Sequence, residues 1–200
     1  MQFPMKDAEV VLYPEFFSTE ESSLFTTLQE SIPWKQEAIK LYGKTVPTPR
    51  LTAWHGDTEA RYSYSNIIHE PEPWTPELLE IKRRIETVCN SRFNFVLLNL
   101  YREGRDSMSW HSDDEPELGV NPIIGSVSFG ASRRFHFQHK LDALLRQSVD
   151  LTDGSLLIMG GATQHFWRHQ LPKTARPIAP RINLTFRTVM QSASLSRRLQ

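Results

Sequence analysis

Hydrophobic positions divide the chain into two textures. From Ser18, a Ser18-x-x-Glu21 capping-box spacing precedes Leu24, Phe25, Leu28 and Ile32 at helical intervals, which predicts a first amphipathic helix. A second helix begins at Thr75-Pro76, with Thr as N-cap and Pro at the first helical position. Its stripe is Leu78, Ile81, Ile85, Val88 and Cys89, and Asn90 ends it. Between the helices, residues 33–74 mix Pro33, Pro47, Pro49, Pro71 and Pro73 with many aromatics, a pattern of short hairpins and loops rather than a separate domain.

From residue 93 onward the apolar runs are short and broken by Gly, Pro and Asp: 93–101, 107–113, 123–129, 133–138, 155–159 and 181–189. This β-rich half follows a helical half. In the first run Phe93, Phe95, Leu97, Asn99 and Tyr101 share one strand face, and Asn94, Val96, Leu98 and Leu100 share the other. Both faces are mostly apolar, which predicts a sandwich with helices packed outside it. Asp153-Gly154 marks a turn between a strand ending near Leu151 and one starting at Ser155. The fold class is therefore α+β with a mainly β core.

Composition narrows the setting. The chain has 200 residues, enough for one domain with a sizeable core. The 23 Lys and Arg balance the 23 Asp and Glu, so any contact with a polyanion must come from local basic patches. Arg50, Arg133, Arg134, Arg168, Lys173 and Arg176 are the candidates for phosphate contacts. A single cysteine, Cys89, excludes an internal disulfide and a thiolate zinc cluster. The segment from Met1 to Asp7 has no basic region followed by an apolar core, and no run is long enough to cross a bilayer. A soluble, cytoplasmic, monomeric protein is expected.

His111-Ser112-Asp113 places an imidazole and a carboxylate on one face of an extended chain. A non-haem Fe(II) site needs two His and one carboxylate, so a third ligand must come from elsewhere. His136 and His139 point to opposite faces in an alternating segment, whereas His165 and His169 share parity, and spacing does not choose between those two. The run Arg181-Ile182-Asn183-Leu184-Thr185-Phe186-Arg187 puts Arg181, Asn183, Thr185 and Arg187 on one face against Ile182, Leu184 and Phe186. Two arginines inside a β core require an anion, and a small dicarboxylate such as 2-oxoglutarate suits them; an exposed edge strand with solvated charges is the alternative. Asn99 and Tyr101 would add hydrogen-bonding groups to the same pocket.

Together, Asn99-x-Tyr101, His111-x-Asp113, Trp167-x-His169-x-x-Pro172 and Arg181-x-Asn183-x-Thr185-x-Arg187 resemble the AlkB family of Fe(II)- and 2-oxoglutarate-dependent dioxygenases, in its branch acting on alkylated nucleic-acid bases. The resemblance selects His169 as the third ligand. It implies a double-stranded β-helix, or jelly roll, over about residues 93–190, with two helices outside and a nucleotide-recognition lid over about residues 33–74, all in one domain. His111, Asp113 and His169 would hold Fe(II). Asn99, Tyr101, Arg181, Asn183, Thr185 and Arg187 would bind 2-oxoglutarate, with Arg187 also placed among the catalytic residues. The implied reaction uses O₂ to hydroxylate an N-alkyl carbon of a 1-methyladenine or 3-methylcytosine type base, releasing aldehyde, succinate and CO₂ and repairing DNA by direct reversal.

A methylated Watson–Crick edge is reached only when the base leaves the stack and is held between flat side chains. Tyr64, then Tyr62, with Trp54 and His55, are the candidate stacking groups. Leu41 and Tyr42, before Gly43, resemble a wedge at a hairpin tip, and Asp114 and Glu115 are candidate acidic contacts to a cationic base. RNA is the alternative polymer. A protein or small-molecule hydroxylase and a catalytically silent jelly-roll module are the competing functions.

Overall fold

The computed structural model describes residues 1–41, 44–60, 62–64, 67–69 and 71–190, with the side chains of 39–41, 62–64 and 67–69 outside the description. The chain begins with β1 (Gln2–Phe3), β2 (Glu9–Tyr13), α1 (Glu21–Ser31), β3 (Ala38–Leu41), β4 (Lys44–Pro47), β5 (Leu51–Gly56), β6 (Tyr62–Tyr64), β7 (Ile67–His69) and α2 (Pro76–Cys89). It continues through β8 (Phe95–Tyr101), β9 (Met108–His111), β10 (Ile124–Gly130), β11 (Arg133–His139) and β12 (Arg146–Leu151). The last elements are β13 (Ser155–Gly160), the single turn α3 (Thr163–Phe166), β14 (Trp167–Leu171) and β15 (Arg181–Arg187). Among the described residues no helix is long and apolar enough to cross a membrane.

Two antiparallel sheets face each other. One has the order β1-β2-β13-β10-β15-β8-β5 and the other β12-β11-β14-β9. From β8 onward the chain passes back and forth between them, so that sequence neighbours such as β8 and β9 lie in different layers, which is the double-stranded β-helix. The Asp153-Gly154 turn, with Gly154 at φ 68°, therefore joins two strands that do not pair: β12 belongs to the smaller sheet and β13 to the larger.

Two cores follow from the alternation. Val96, Leu98 and Leu100 of β8, Val127 and Phe129 of β10, and Ile182, Leu184 and Phe186 of β15 form one core with Leu28 and Ile32 near α1 and Leu78, Ile81, Ile85 and Cys89 of α2. Phe95 and Leu97 point the other way, into a second core between the sheets with Leu157, Met159, Phe137, Val149, Leu151 and Trp167. All seven residues of β8 are buried, as its two apolar faces require. Gly125 of β10 leaves room for the helical layer, since a Cβ there would lie 3.3 Å from both Ile85 Cδ1 and Phe93 Cζ.

α2 starts and ends where expected. Thr75 Oγ1 accepts the Leu78 amide at 3.3 Å, and Asn90 closes the helix in the left-handed region at φ 49°. Val88, however, is exposed, and the buried stripe is Leu78, Ile81, Ile85 and Cys89.

Four other expectations are corrected. The Ser18-x-x-Glu21 capping box does not form: Glu20 is the N-cap without a side-chain cap bond, and its carboxylate pairs with Arg84 of α2. Phe93 sits in the helical core rather than with Phe95, because it precedes the strand and its amide donates to Glu86 of α2 at 2.8 Å. β5, inside the stretch assigned to the lid, is paired along its length with β8. β2 lies before both helices, outside the β-rich half, yet pairs with β13 in the same sheet. The hairpins β3–β4 and β6–β7 are separate two-stranded sheets.

The helix-to-sheet contact carries a clear expectation. Ile85→Ala should lower unfolding free energy by about 2–5 kcal/mol in urea titration, since the residue is fully buried between α2 and β10. A cost below about 1 kcal/mol would mean that this layer is loosely packed.

Candidate active site

β9 and β14 are neighbours in the smaller sheet, and their register sets His111 directly opposite His169. Side chains opposite each other on an antiparallel pair share a face, and here the two Nε2 atoms approach to 3.1 Å. A register irregularity follows, with Leu171 opposite Met108, so that His111, Met108, His169 and Leu171 all line the cleft between the sheets. Asp113 lies just past the end of β9. Its Oδ2 is 3.6 Å from His169 Nε2, and its Oδ1 accepts from Arg187 Nη2. One ligand atom from each of His111, Asp113 and His169 falls within 4.8 Å of the others.

The protonation states suit metal binding. His111 Nδ1 sits 2.8 Å from the Ser109 carbonyl; donating its proton there leaves the Nε2 lone pair facing the cluster. Burial and then the His111 imidazole hold His169 at about 3, and burial also lowers His111. Both rings are thus neutral at physiological pH. Burial pushes the Asp113 carboxyl upward, but Arg187, His169 and His111 outweigh it and keep it well below the usual carboxylate range. Two neutral imidazoles and one carboxylate form the donor set of a non-haem Fe(II) site.

β15 supplies the opposite wall. It lies between β10 and β8, not at an edge, and all seven of its residues are buried. The solvated-edge alternative for its arginines is therefore excluded. Arg187 stands beside Asp113, while Arg181 stands at the other end of the strand, over the Tyr101 ring with a 5.4 Å centroid separation. Arg181 Nη2 donates to Ser128 Oγ at 2.9 Å, and its buried Nε has no partner among the described residues. Burial lowers it to about 10, so it remains a cation without a carboxylate partner in the described structure. An incoming carboxylate would satisfy both the orphaned donor and the buried charge. A carboxylate cosubstrate fits this wall as Fe(II) fits the other.

The remaining pocket candidates divide. Asn99, Tyr101, Asn183 and Thr185 all line the cleft. Asn183 has its NH₂ group occupied by Ser126 Oγ and the Val127 carbonyl, and its Oδ1 accepts from Thr185, so this pair braces the wall. Asn99 Oδ1 accepts from the buried Arg50 Nε at 2.8 Å. Arg50 is thus a cleft-side structural residue and not a phosphate contact.

Other assignments shift as well. Arg133 is buried on the carbonyls of Asp106 and Pro172, Arg134 pairs with Asp150, and Arg168 binds Gln138 over the Trp110 ring. Lys173 and Arg176 are exposed. His165 is exposed on α3, and His136 binds Ser148, which leaves neither near the cluster. Trp54 lies across from Leu97 but is buried against Phe95, and His55 is buried on the Pro73 carbonyl, so neither stands at the mouth. Asp114 is paired with Lys140 at 2.9 Å, and Glu115 is half-buried beyond it. The side chains of Leu41, Tyr62 and Tyr64, and the whole of Tyr42 and Gly43, lie outside the described residues.

Several site residues were missed. Ser126 and Ser128 alternate with Val127 and Phe129, a polar stripe that could have placed them in the pocket. β14 alternates Trp167, His169 and Leu171 inward with Arg168 and Gln170 outward, a strand signal not used. Gln164, whose side chain holds the Asp113 amide, carries no local signal.

A jelly roll with two histidines and an aspartate on one wall and buried arginines on the other defines a mononuclear non-haem oxygenase scaffold. Residues 9–187 match the 2OG-Fe(II) oxygenase superfamily. Alpha-ketoglutarate-dependent dioxygenase alkB homolog 3 of Mus musculus is 44% identical over 93% of this chain and 68% of its own length, and the Bos taurus protein of that name is 46% identical over the same shares. The Homo sapiens DNA oxidative demethylase ALKBH2 is 37% identical over 88% of this chain and 71% of its own. The solved structure of OsALKBH1 shares the fold, with a TM-score of 0.65 at 19% identity, covering 90% of this chain and 97% of that one. The chain belongs to the AlkB family of the 2OG-Fe(II) oxygenases. It is an Fe(II)- and 2-oxoglutarate-dependent dioxygenase.

The depressed histidines set a pH dependence for the metal-free protein. Below about pH 6.5 the unfolded chain binds protons that the folded His111 and His169 refuse, so stability falls as pH drops, with a slope approaching about 1.4 kcal/mol per pH unit from His169 and a further decline in the same direction from His111. Urea midpoints between about pH 8 and 5 should show this decline, and His169→Asn should flatten it. An unchanged profile in the variant would mean that His169 is not held neutral.

Proposed function

We propose that the protein oxidatively removes alkyl groups from N-alkylated bases of DNA, of the 1-methyladenine and 3-methylcytosine type, with His111, Asp113 and His169 as the iron ligands. The observation that carries it is the His–Asp–His cluster facing an anion-seeking strand in a chain similar to proteins named DNA oxidative demethylases. When bound, Fe(II) with 2-oxoglutarate and O₂ supplies hydroxylation of an N-alkyl carbon, after which the alkyl group leaves as an aldehyde together with succinate and CO₂.

The side chains perform the supporting tasks. Arg187 keeps Asp113 ionised, so the carboxylate offers a ligand oxygen at neutral pH. Ser109 fixes the His111 tautomer through its carbonyl. Arg181, braced by Ser128 and Tyr101, would receive a carboxylate of the cosubstrate by charge-assisted hydrogen bonds. Asn99, oriented by Arg50, turns its amide nitrogen away from that contact and can donate toward the ligand. With Asp113 and His169 buried, a target base must be unstacked and turned in to reach the cluster.

Mass spectrometry tests the proposal. A 1-methyladenine DNA oligonucleotide incubated with Fe(II), 2-oxoglutarate and O₂ should lose one methyl mass, and Asp113→Ala should abolish the change. The same oligonucleotide in RNA form measures the polymer preference. Fe-dependent succinate without a mass change on either polymer would move the substrate to another class.

A further inference from the structure

We infer that Gln164 is a positioning residue that keeps the Asp113 carboxylate turned toward the metal, which rests on the reading of His111, Asp113 and His169 as ligands. Asp113 lies past the end of β9, where no ladder partner holds its backbone. Its amide is buried all the same and donates to Gln164 Oε1 at 3.0 Å. Gln164 is completely buried, 0% exposed, on the short α3 that leads into the strand carrying His169. Among the described residues its own carboxamide nitrogen meets only a thioether, Met159 Sδ at 3.7 Å. Burying an amide for so little return in packing is costly, so the bond to Asp113 is what accounts for a glutamine here.

The flanking residues are fastened to the same segment. Ser112 Oγ donates to the Trp167 carbonyl at 3.1 Å. Lys140 Nζ donates to the Gln164 carbonyl at 2.8 Å and pairs with Asp114 at 2.9 Å. Residues 112–114 are thereby tied to α3 and the start of β14, the part of the chain that also delivers His169.

The tie opposes a specific competitor. Arg187 holds Asp113 Oδ1, while Oδ2 faces His169 at 3.6 Å. A guanidinium favours two-point contact with a carboxylate, and an Asp113 backbone free to shift would let Arg187 take both oxygens and draw Oδ2 from the cluster. Gln164 blocks that shift without touching metal or substrate.

Co(II) titration of the folded protein, without 2-oxoglutarate or turnover, reads this role directly. Gln164→Met keeps the volume and removes the acceptor, and should weaken Co(II) binding about tenfold or more with an unchanged near-UV spectrum. Gln164→Glu, which restores an acceptor oxygen, should recover most of the affinity. Wild-type affinity in Gln164→Met, or equal loss in Gln164→Glu, overturns the inference. Asp113→Ala separates it from the ligand assignment: binding lost there while Gln164→Met binds normally removes only the positioning role, whereas Asp113→Ala binding as wild type removes the metal reading and the inference with it. Should Gln164→Met not fold, Lys140→Met at a surface position takes its place, with about threefold weaker binding expected and unchanged binding overturning the role.

Discussion

An ionised carboxylate inside a protein needs a counter-charge, and the architecture of this site follows from that need at Asp113. Arg187, itself 2% exposed, provides it from the end of β15, so the two buried charges join the larger sheet to the segment leaving the smaller one. A buried ion pair of this kind is weak evidence for stability, because desolvation offsets much of the attraction. Its value lies in where it leaves the charges. Asp113 stays available to the two histidines, and Arg181 is left at the far end of the strand with no carboxylate partner among the described residues.

The cleft is consequently polar in a directed way. Metal ligands come from the smaller sheet and its exit loop; guanidinium, hydroxyl and amide groups come from the larger sheet. A chelating dicarboxylate spanning those walls would meet a cation-binding end and an anion-binding end. Apolar residues on the reverse faces of β8 and β15 pack against the helices, and this rigid backing holds the polar faces in place. The segment preceding the jelly roll also braces a cleft residue, since Arg50, between β4 and β5, donates to Asn99. Changes in the hairpins before it can thus bear on the cosubstrate side of the site.

Much of this was legible in the sequence because strand alternation is a local property. Which residues of β8 and β15 share a face depends only on parity, and parity correctly grouped Arg181 with Arg187 and Asn99 with Tyr101. Helix α2 was equally readable, since its N-cap, its proline and its terminal asparagine act within a few residues. The capping box at Ser18 misled for the opposite reason: Glu20 is held by Arg84, a residue far along the chain. Parity could not say that His165 would fall on a helical turn and His169 on a strand, and there the family resemblance, not the spacing, made the choice.

The sequence by itself determined the donor types, the two-faced strands, and therefore a sandwich with a polar seam. Tertiary structure alone decided which groups meet. The register of β9 on β14 sets His111 against His169; the burial of β15 between two neighbours turns solvated arginines into an anion site; and a glutamine from α3 fixes a backbone that no strand pairs. Each of these depends on contacts between residues distant in the chain, made only once the loop-closure entropy has been overcome by the packing of both sheets, and no short-range pattern records them.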